Sequence, residues 1–267
     1  MKKTKKILSI ALVLAMTLST NTMTAFALDQ PLSREEIRQD YLSDPEFYEY
    51  YLEYPTEANK IIADAIKGLS KPVSEDYLNT RAGNPETTHA WVNTRLIKQP
   101  NGYYCGPTSA LMSVIGWGGE DAVDGNTDNE KIETIAKMLG TTNSGTVPAR
   151  IATELNEILG SASYHYSAFV HTALTEHQFR AYIFNSLVKD RAPIIHVRTE
   201  HLPYYNGYDT GHFITVTSYN YDVKNEMTLY DCNNRAEYFG IHQVAWEDAY
   251  AGQTDNSHGN RYLIASF

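Results

Sequence analysis

Four residues, Gln99, Cys105, His212 and Asp231, have the types and the order that a thiol hydrolase needs. In the run Gln99-Pro-Asn-Gly-Tyr-Tyr-Cys105-Gly106-Pro107 an amide stands six residues ahead of a cysteine. The apolar-periodic stretch from Pro107 to Trp117 reads as a helix, with Pro107 in the first turn where its missing N–H costs nothing. Cys105 then lies at the N-terminus of that helix, where unpaired backbone N–H groups and the positive end of the macrodipole favour a thiolate. The Cys105 N–H and the Gln99 side-chain amide can converge on the oxygen of a tetrahedral intermediate. Removing one such donor typically costs about a hundredfold to a thousandfold in rate.

A base for this nucleophile is expected far along the chain, because nucleophile and histidine meet in space rather than in sequence. The segment Thr210-Gly211-His212-Phe213-Ile214-Thr215-Val216-Thr217 opens a β-rich run with His212 at its mouth, and Glu226-Met227-Thr228-Leu229-Tyr230-Asp231 reads as a second strand ending in an acid. If these strands are antiparallel neighbours, Asp231 accepts from one ring nitrogen of His212 and leaves the other for the Cys105 proton. Asn233 and Asn234 are rival orienters, and Asp-Cys-Asn-Asn is also a good turn sequence. Strand alternation sends Cys232 to the side opposite Asp231, as a small core residue.

On Gln99, Tyr104-Cys105-Gly106-Pro107-Thr108-Ser109-Ala110, Gly211-His212-Phe213-Ile214-Thr215-Val216-Thr217 and the strand-terminal Asp231, the chain resembles the papain-like cysteine peptidases typified by bacteriocin leader (double-glycine) processing peptidases, and in particular their free-standing secreted relatives. The resemblance covers roughly residues 91–267 and implies Cys105 as nucleophile, His212 as general base, Asp231 as orienting acid and Gln99 as oxyanion donor. That family's acid is usually followed by proline, whereas Cys232-Asn233 follows here, so the third place stays open between Asp231 and the asparagines. The implied activity is a secreted cysteine peptidase acting on a peptide or protein through a thioester. Two other classes fit the same residues: an acyl or peptidyl transferase like the phytochelatin-synthase-type enzymes, and a non-catalytic extracellular binding module. Double-glycine specificity is not expected to carry over, because those processing enzymes act at the cytoplasmic face and this chain reads as exported.

Export is read from residues 1–27: four lysines by Lys6, a twelve-residue apolar run from Ile7 to Leu18, and Ala25-Phe26-Ala27 as a small-residue cleavage site. Losing those lysines takes 22 basic residues to 18 against 32 acidic, a net charge of −14 with histidines neutral. Nucleic acid and, after signal cleavage, membrane are therefore not expected as partners. Export permits disulfides, but pairing the two cysteines would consume the nucleophile. Neither His196 and His201 nor His165, His171 and His177 show metal-site spacing, and Gly116-Trp117-Gly118-Gly119 is a helix stop rather than a phosphate loop. No cofactor or metal is expected.

Residues 28–72 form an acidic, Tyr-rich helical extension with a Ser33/Glu36 capping box and an aromatic face of Tyr48, Tyr51, Leu52 and Tyr54; it is either a pro-segment or a permanently packed addition. Residues 73–90 read as a linker and 91–267 as the catalytic domain. In that domain helices are expected over about 129–139, 147–159 and 176–189. Strands are expected at Pro193–Val197, Phe213–Tyr219, Met227–Asp231, Tyr238–Val244 and Tyr262–Ser266. Helices first and strands second is the α+β pattern. It fits a papain-like fold in which a helical half carrying the nucleophile helix packs on an antiparallel sheet half.

Overall fold

The computed structural model describes residues 32–70, 89–160, 165–220 and 225–266. The expected signal peptide and most of the expected linker lie outside the described residues. Residues 89–266 are built on one antiparallel sheet of β1 (His89–Trp91), β2 (Tyr166–Val170), β3 (Ile194–Arg198), β4 (Gly211–Asn220), β5 (Glu226–Asp231), β6 (Gly240–Ala245) and β7 (Tyr262–Ser266). The strand order is β2-β7-β3-β4-β5-β6, with β1 paired to the far end of β4. β2, β4 and β7 bury successive residues rather than alternate ones, so helices cover both faces of the sheet.

The helices are α4 (Cys105–Gly116), α5 (Asp128–Leu139), α6 (Pro148–Leu159), α7 (Glu176–Val188) and α8 (Trp246–Thr254). Local sequence sets most of their ends. Thr127 with Glu130 and Thr175 with Gln178 close reciprocal capping boxes on α5 and α7. Gly140 and Gly160, at φ of 61° and 57°, supply the left-handed residues that stop α5 and α6. α4 lies directly on β4: Ser109 Oγ donates to Phe213 O at 3.1 Å and Thr215 Oγ1 to Ser109 O at 3.3 Å. The helix that begins at Cys105 is thus fastened to the strand that carries His212.

The fold is the expected α+β, papain-like arrangement, but helices and strands are not as segregated along the chain as expected. β2 precedes α7, and α8 follows β6. Tyr166–Val170 is a short all-buried run without alternation, and a 3-residue strand at His89–Trp91 falls below any periodicity window.

The extension forms α1 (Arg34–Ser43), α2 (Pro45–Glu53) and α3 (Pro55–Leu69), and α1 has the Ser33/Glu36 capping box. It is anchored by buried Tyr41 and Phe47. Tyr262 Oη donates to Asp44 Oδ2 at 2.7 Å and Tyr182 Oη to Gly68 O at 3.2 Å. In the aromatic face of Tyr48, Tyr51, Leu52 and Tyr54, Tyr48, Leu52 and Tyr54 are exposed, while Ile37, Tyr41, Phe47 and Tyr50 pack inward.

Candidate active site

Cys105 is the first residue of α4, and it is partly exposed. No side chain caps this helix, which leaves its first-turn N–H groups available to an anion. Gly106 behind it is buried, and a Cβ there would lie 2.6 Å from Thr146 Oγ1. Only glycine lets the loop before α6 close against the start of the nucleophile helix.

His212 is the second residue of β4, and Asp231 is the last of β5. With Thr215 opposite Tyr230, alternation leaves His212 and Asp231 on one face of the sheet. Their side chains meet: His212 Nε2 lies 2.9 Å from Asp231 Oδ1, both groups are buried, and His212 also shares a hydrogen bond with Cys105. Four donors converge on the Asp231 carboxylate. Oδ1 takes His212 Nε2 and the Asn233 N–H at 2.8 Å, and Oδ2 takes the hydroxyls of Tyr204 at 3.0 Å and Tyr205 at 2.8 Å. Asn233 Nδ2 in turn donates to Tyr205 Oη at 3.0 Å, so Asn233 braces the carboxylate rather than replacing it. Asn234 is exposed.

The electrostatics follow from this geometry. Burial opposes charge on His212, but the Asp231 carboxylate outweighs it and holds the imidazolium well above the ordinary histidine range. Burial opposes the Asp231 charge too, and His212 with the other donors keeps it below the usual carboxylate value. Packing around the thiol opposes a charge on Cys105, but its hydrogen bond to His212 and that ring's charge, with help from backbone N–H groups, pull it below the ordinary thiol range. A thiolate–imidazolium pair oriented by a carboxylate can attack a carbonyl and return a proton to the leaving group.

Gln99 is buried and is linked to this region through Cys232. Its N–H donates to Cys232 O at 2.7 Å, its side-chain Nε2 to Asn101 O at 2.6 Å, and its Oε1 lies 3.5 Å from Cys232 Sγ. These contacts fix which end of the amide carries the donors, and one of its two N–H bonds is already used within the loop. Cys232 is fully buried on the α4 side of the sheet, 3.9 Å from Ser109 Oγ and 3.8 Å from Cys105 O. Burial pushes its thiol up, the reverse of Cys105.

Cys105 opens onto a cleft of about 600 Å³ walled by the loop Asn143–Thr146, the ends of β3 and β4, Asp44 and Glu46 of the extension, and Arg261. His196 faces this cleft, stacked on Phe213, whereas His201 turns away to Asp255 at 2.8 Å. Tyr204 and Tyr205 went unread in the sequence. They sit on a single helical turn, Pro203–Tyr205, in the connection from β3 to β4, and only their shared contact with Asp231 marks them.

Two of the solved structures similar to this chain are peptidase domains of transporters. The first is a double glycine motif protease from an AMS/PCAT transporter in complex with the leader peptide, at 11% identity, covering 66% of this chain and 94% of that one, with a TM-score of 0.39. The second is the peptidase domain of Streptococcus ComA, a bifunctional ABC transporter involved in a quorum-sensing pathway, at 16% identity, covering 65% and 98%, with a TM-score of 0.41. No curated protein sequence matches the chain. The model of the Peptidase_C39 like family matches residues 91–256, a span that begins ahead of Gln99 and ends beyond Asp231, and the chain therefore belongs to that family of cysteine peptidase type.

Proposed function

We propose that this chain is a secreted cysteine peptidase that hydrolyses peptide bonds through Cys105, His212 and Asp231. The observation that carries this reading is the pairing of a helix-terminal, partly exposed Cys105 with a His212 whose far nitrogen is held by Asp231 at 2.9 Å, at the edge of an open cleft. Cys105 attacks the scissile carbonyl, and the carbonyl oxygen becomes an oxyanion held by the Cys105 N–H and the second N–H of Gln99. His212 protonates the leaving amine, and the resulting thioester is cleaved by a water that His212 deprotonates, freeing the acid and restoring the thiol. The extension stays in place as one wall of the cleft, which its buried Tyr41 and Phe47 anchors favour over removal. Incubating the protein with a peptide library and mapping cleavage by mass spectrometry tests the reading. Cleavage that disappears in Cys105→Ala is expected, and cleavage that survives that change, or a native Cys105 inert to iodoacetamide at neutral pH, refutes it.

A further inference from the structure

Two buried arginines, Arg198 and Arg261, line the cleft onto which Cys105 opens, in a chain that is acidic overall. Arg198 ends β3 and Arg261 precedes β7, and both are buried, at 8% and 4% exposure. Arg198 pairs with Asp209, yet its Nε has no acceptor. Arg261 donates only to backbone carbonyls, Nη1 to Asn260 O at 3.2 Å and Nη2 to His258 O at 3.3 Å. Its Nε is also without an acceptor, and no carboxylate lies within ion-pair distance of it among the described residues. Buried guanidinium groups are ordinarily matched by an anion, because an unpaired buried charge is costly.

Both arginines sit next to the chemistry. A Cβ placed on Gly211, the residue before His212, would lie 3.5 Å from His196 Nε2 and 3.9 Å from Arg261 Nη2. His196 Nδ1 is a further buried atom without a partner. Burial first, then the charges of Arg261, His212 and Arg198, keep His196 well below the ordinary histidine range, so at neutral pH it is an uncharged hydrogen-bonding group. Burial and then the neighbouring Arg198 lower Arg261, with the more distant charges of Asp255, Glu46 and Asp44 opposing. The acids that line the cleft, Asp44 and Glu46, belong to the extension; Glu46 is raised by partial enclosure and then by Asp44, with Arg261 opposing.

We propose that Arg261, with Arg198 and His196, forms a carboxylate-binding subsite beside Cys105 that selects peptides carrying an acidic group close to the scissile bond. The planar guanidinium of Arg261 suits a carboxylate, whether an Asp or Glu side chain or a free C-terminal α-carboxylate. This deepens the peptidase reading and rests on it for the role of the cleft, but the binding itself requires no turnover.

The test uses the full chain carrying Cys105→Ala and fluorescein-labelled peptides in matched pairs. In one arm Asp and Asn are exchanged at successive positions, and in the other the C-terminal acid is exchanged for the amide. Fluorescence anisotropy should show the acidic member of at least one pair binding about tenfold tighter, the difference expected of a charge-assisted bidentate contact. Which arm shows it identifies the source of the carboxylate. Arg261→Gln in the same background should bring that ratio toward one. Should Arg261→Gln fail to fold, Gly211→Asp places a carboxylate of the chain's own in the subsite at ordinary contact distance and should abolish the preference equally. No preference in any pair, no peptide binding at all, or a preference that survives in a folded Arg261→Gln or Gly211→Asp chain overturns the proposal. Hydrolysis by the unmodified chain without charge preference removes the subsite alone. An inert Cys105 together with tight binding of acidic peptides removes only the peptidase reading.

Discussion

Replacing Asp231 by asparagine should cost far less than replacing it by alanine, and the reason is a count of donors. The carboxylate accepts from His212 Nε2, the Asn233 N–H and the hydroxyls of Tyr204 and Tyr205. Asparagine offers one oxygen and one NH2. The Asn233 N–H can only donate, so it draws the oxygen to its own side, which is also the side of His212. The NH2 then faces the two tyrosine hydroxyls, which can rotate to accept. Nε2 of His212 therefore keeps its hydrogen and Nδ1 stays free for Cys105. What is lost is the difference between a charge-assisted and a neutral hydrogen bond, about 1–1.5 kcal/mol, or about fivefold to twelvefold in rate. Asp231→Ala leaves all four donors without an acceptor in a buried site. It should lose about a thousandfold or more in kcat/KM and about 3 kcal/mol or more of stability. The assay is kcat/KM on a cleaved library peptide at matched folded concentration, with the pH profile of iodoacetamide alkylation of Cys105 as a readout that needs no substrate. If Asp231→Asn is as damaging as Asp231→Ala in a folded protein, the assigned amide orientation is wrong.

Cys105 should be the thiol alkylated at neutral pH and Cys232 should label only on unfolding; equal labelling in the native state contradicts their opposite environments. The reactive ion pair should appear as pH rises through the lowered Cys105 pKa, below the ordinary 9.0, and vanish as pH rises through the raised His212 pKa, above 6.5. Asp231→Asn should therefore move the alkaline limb of the rate profile to lower pH, and an unmoved limb would assign it to another group. Gln99→Ala should lower kcat by about a hundredfold and, because the amide also bonds Asn101 O and Cys232 Sγ, lower stability by about 1–2 kcal/mol, read by thermal melting. Gly106→Ala should cost about 1–3 kcal/mol by overpacking against Thr146, and Thr146→Ser should recover little because the hydroxyl is the nearest atom.

Much of the site was legible because each piece is marked by a local rule. A proline after Cys105-Gly106 and an apolar period announce a helix start, and helix starts favour thiolates whatever surrounds them. Phe213–Tyr219 and Met227–Asp231 read as strands from β-branched residues and alternation, and the strands found at Gly211–Asn220 and Glu226–Asp231 carry His212 and Asp231 at their ends. Capping boxes at Thr127 and Thr175 and left-handed glycines at 140 and 160 bound three helices within a residue or two of where they lie.

The linear pattern did not decide among Asp231, Asn233 and Asn234, because all three sit within four residues and differ only in where the turn after β5 points them. Tertiary contact separates them: Asp231 meets His212, Asn233 braces Tyr205, and Asn234 is exposed. It also gathers Tyr204, Tyr205, Arg198 and Arg261 around residues distant from them in sequence, each unremarkable in its own segment. Residue types and local periodicity determined which groups can be nucleophile, base and orienter, since those properties arise within one helix turn or one strand. Which side chains converge on Asp231, and which cations line the cleft, depends on sheet order and helix packing, where the deciding contacts join segments that share no local signal.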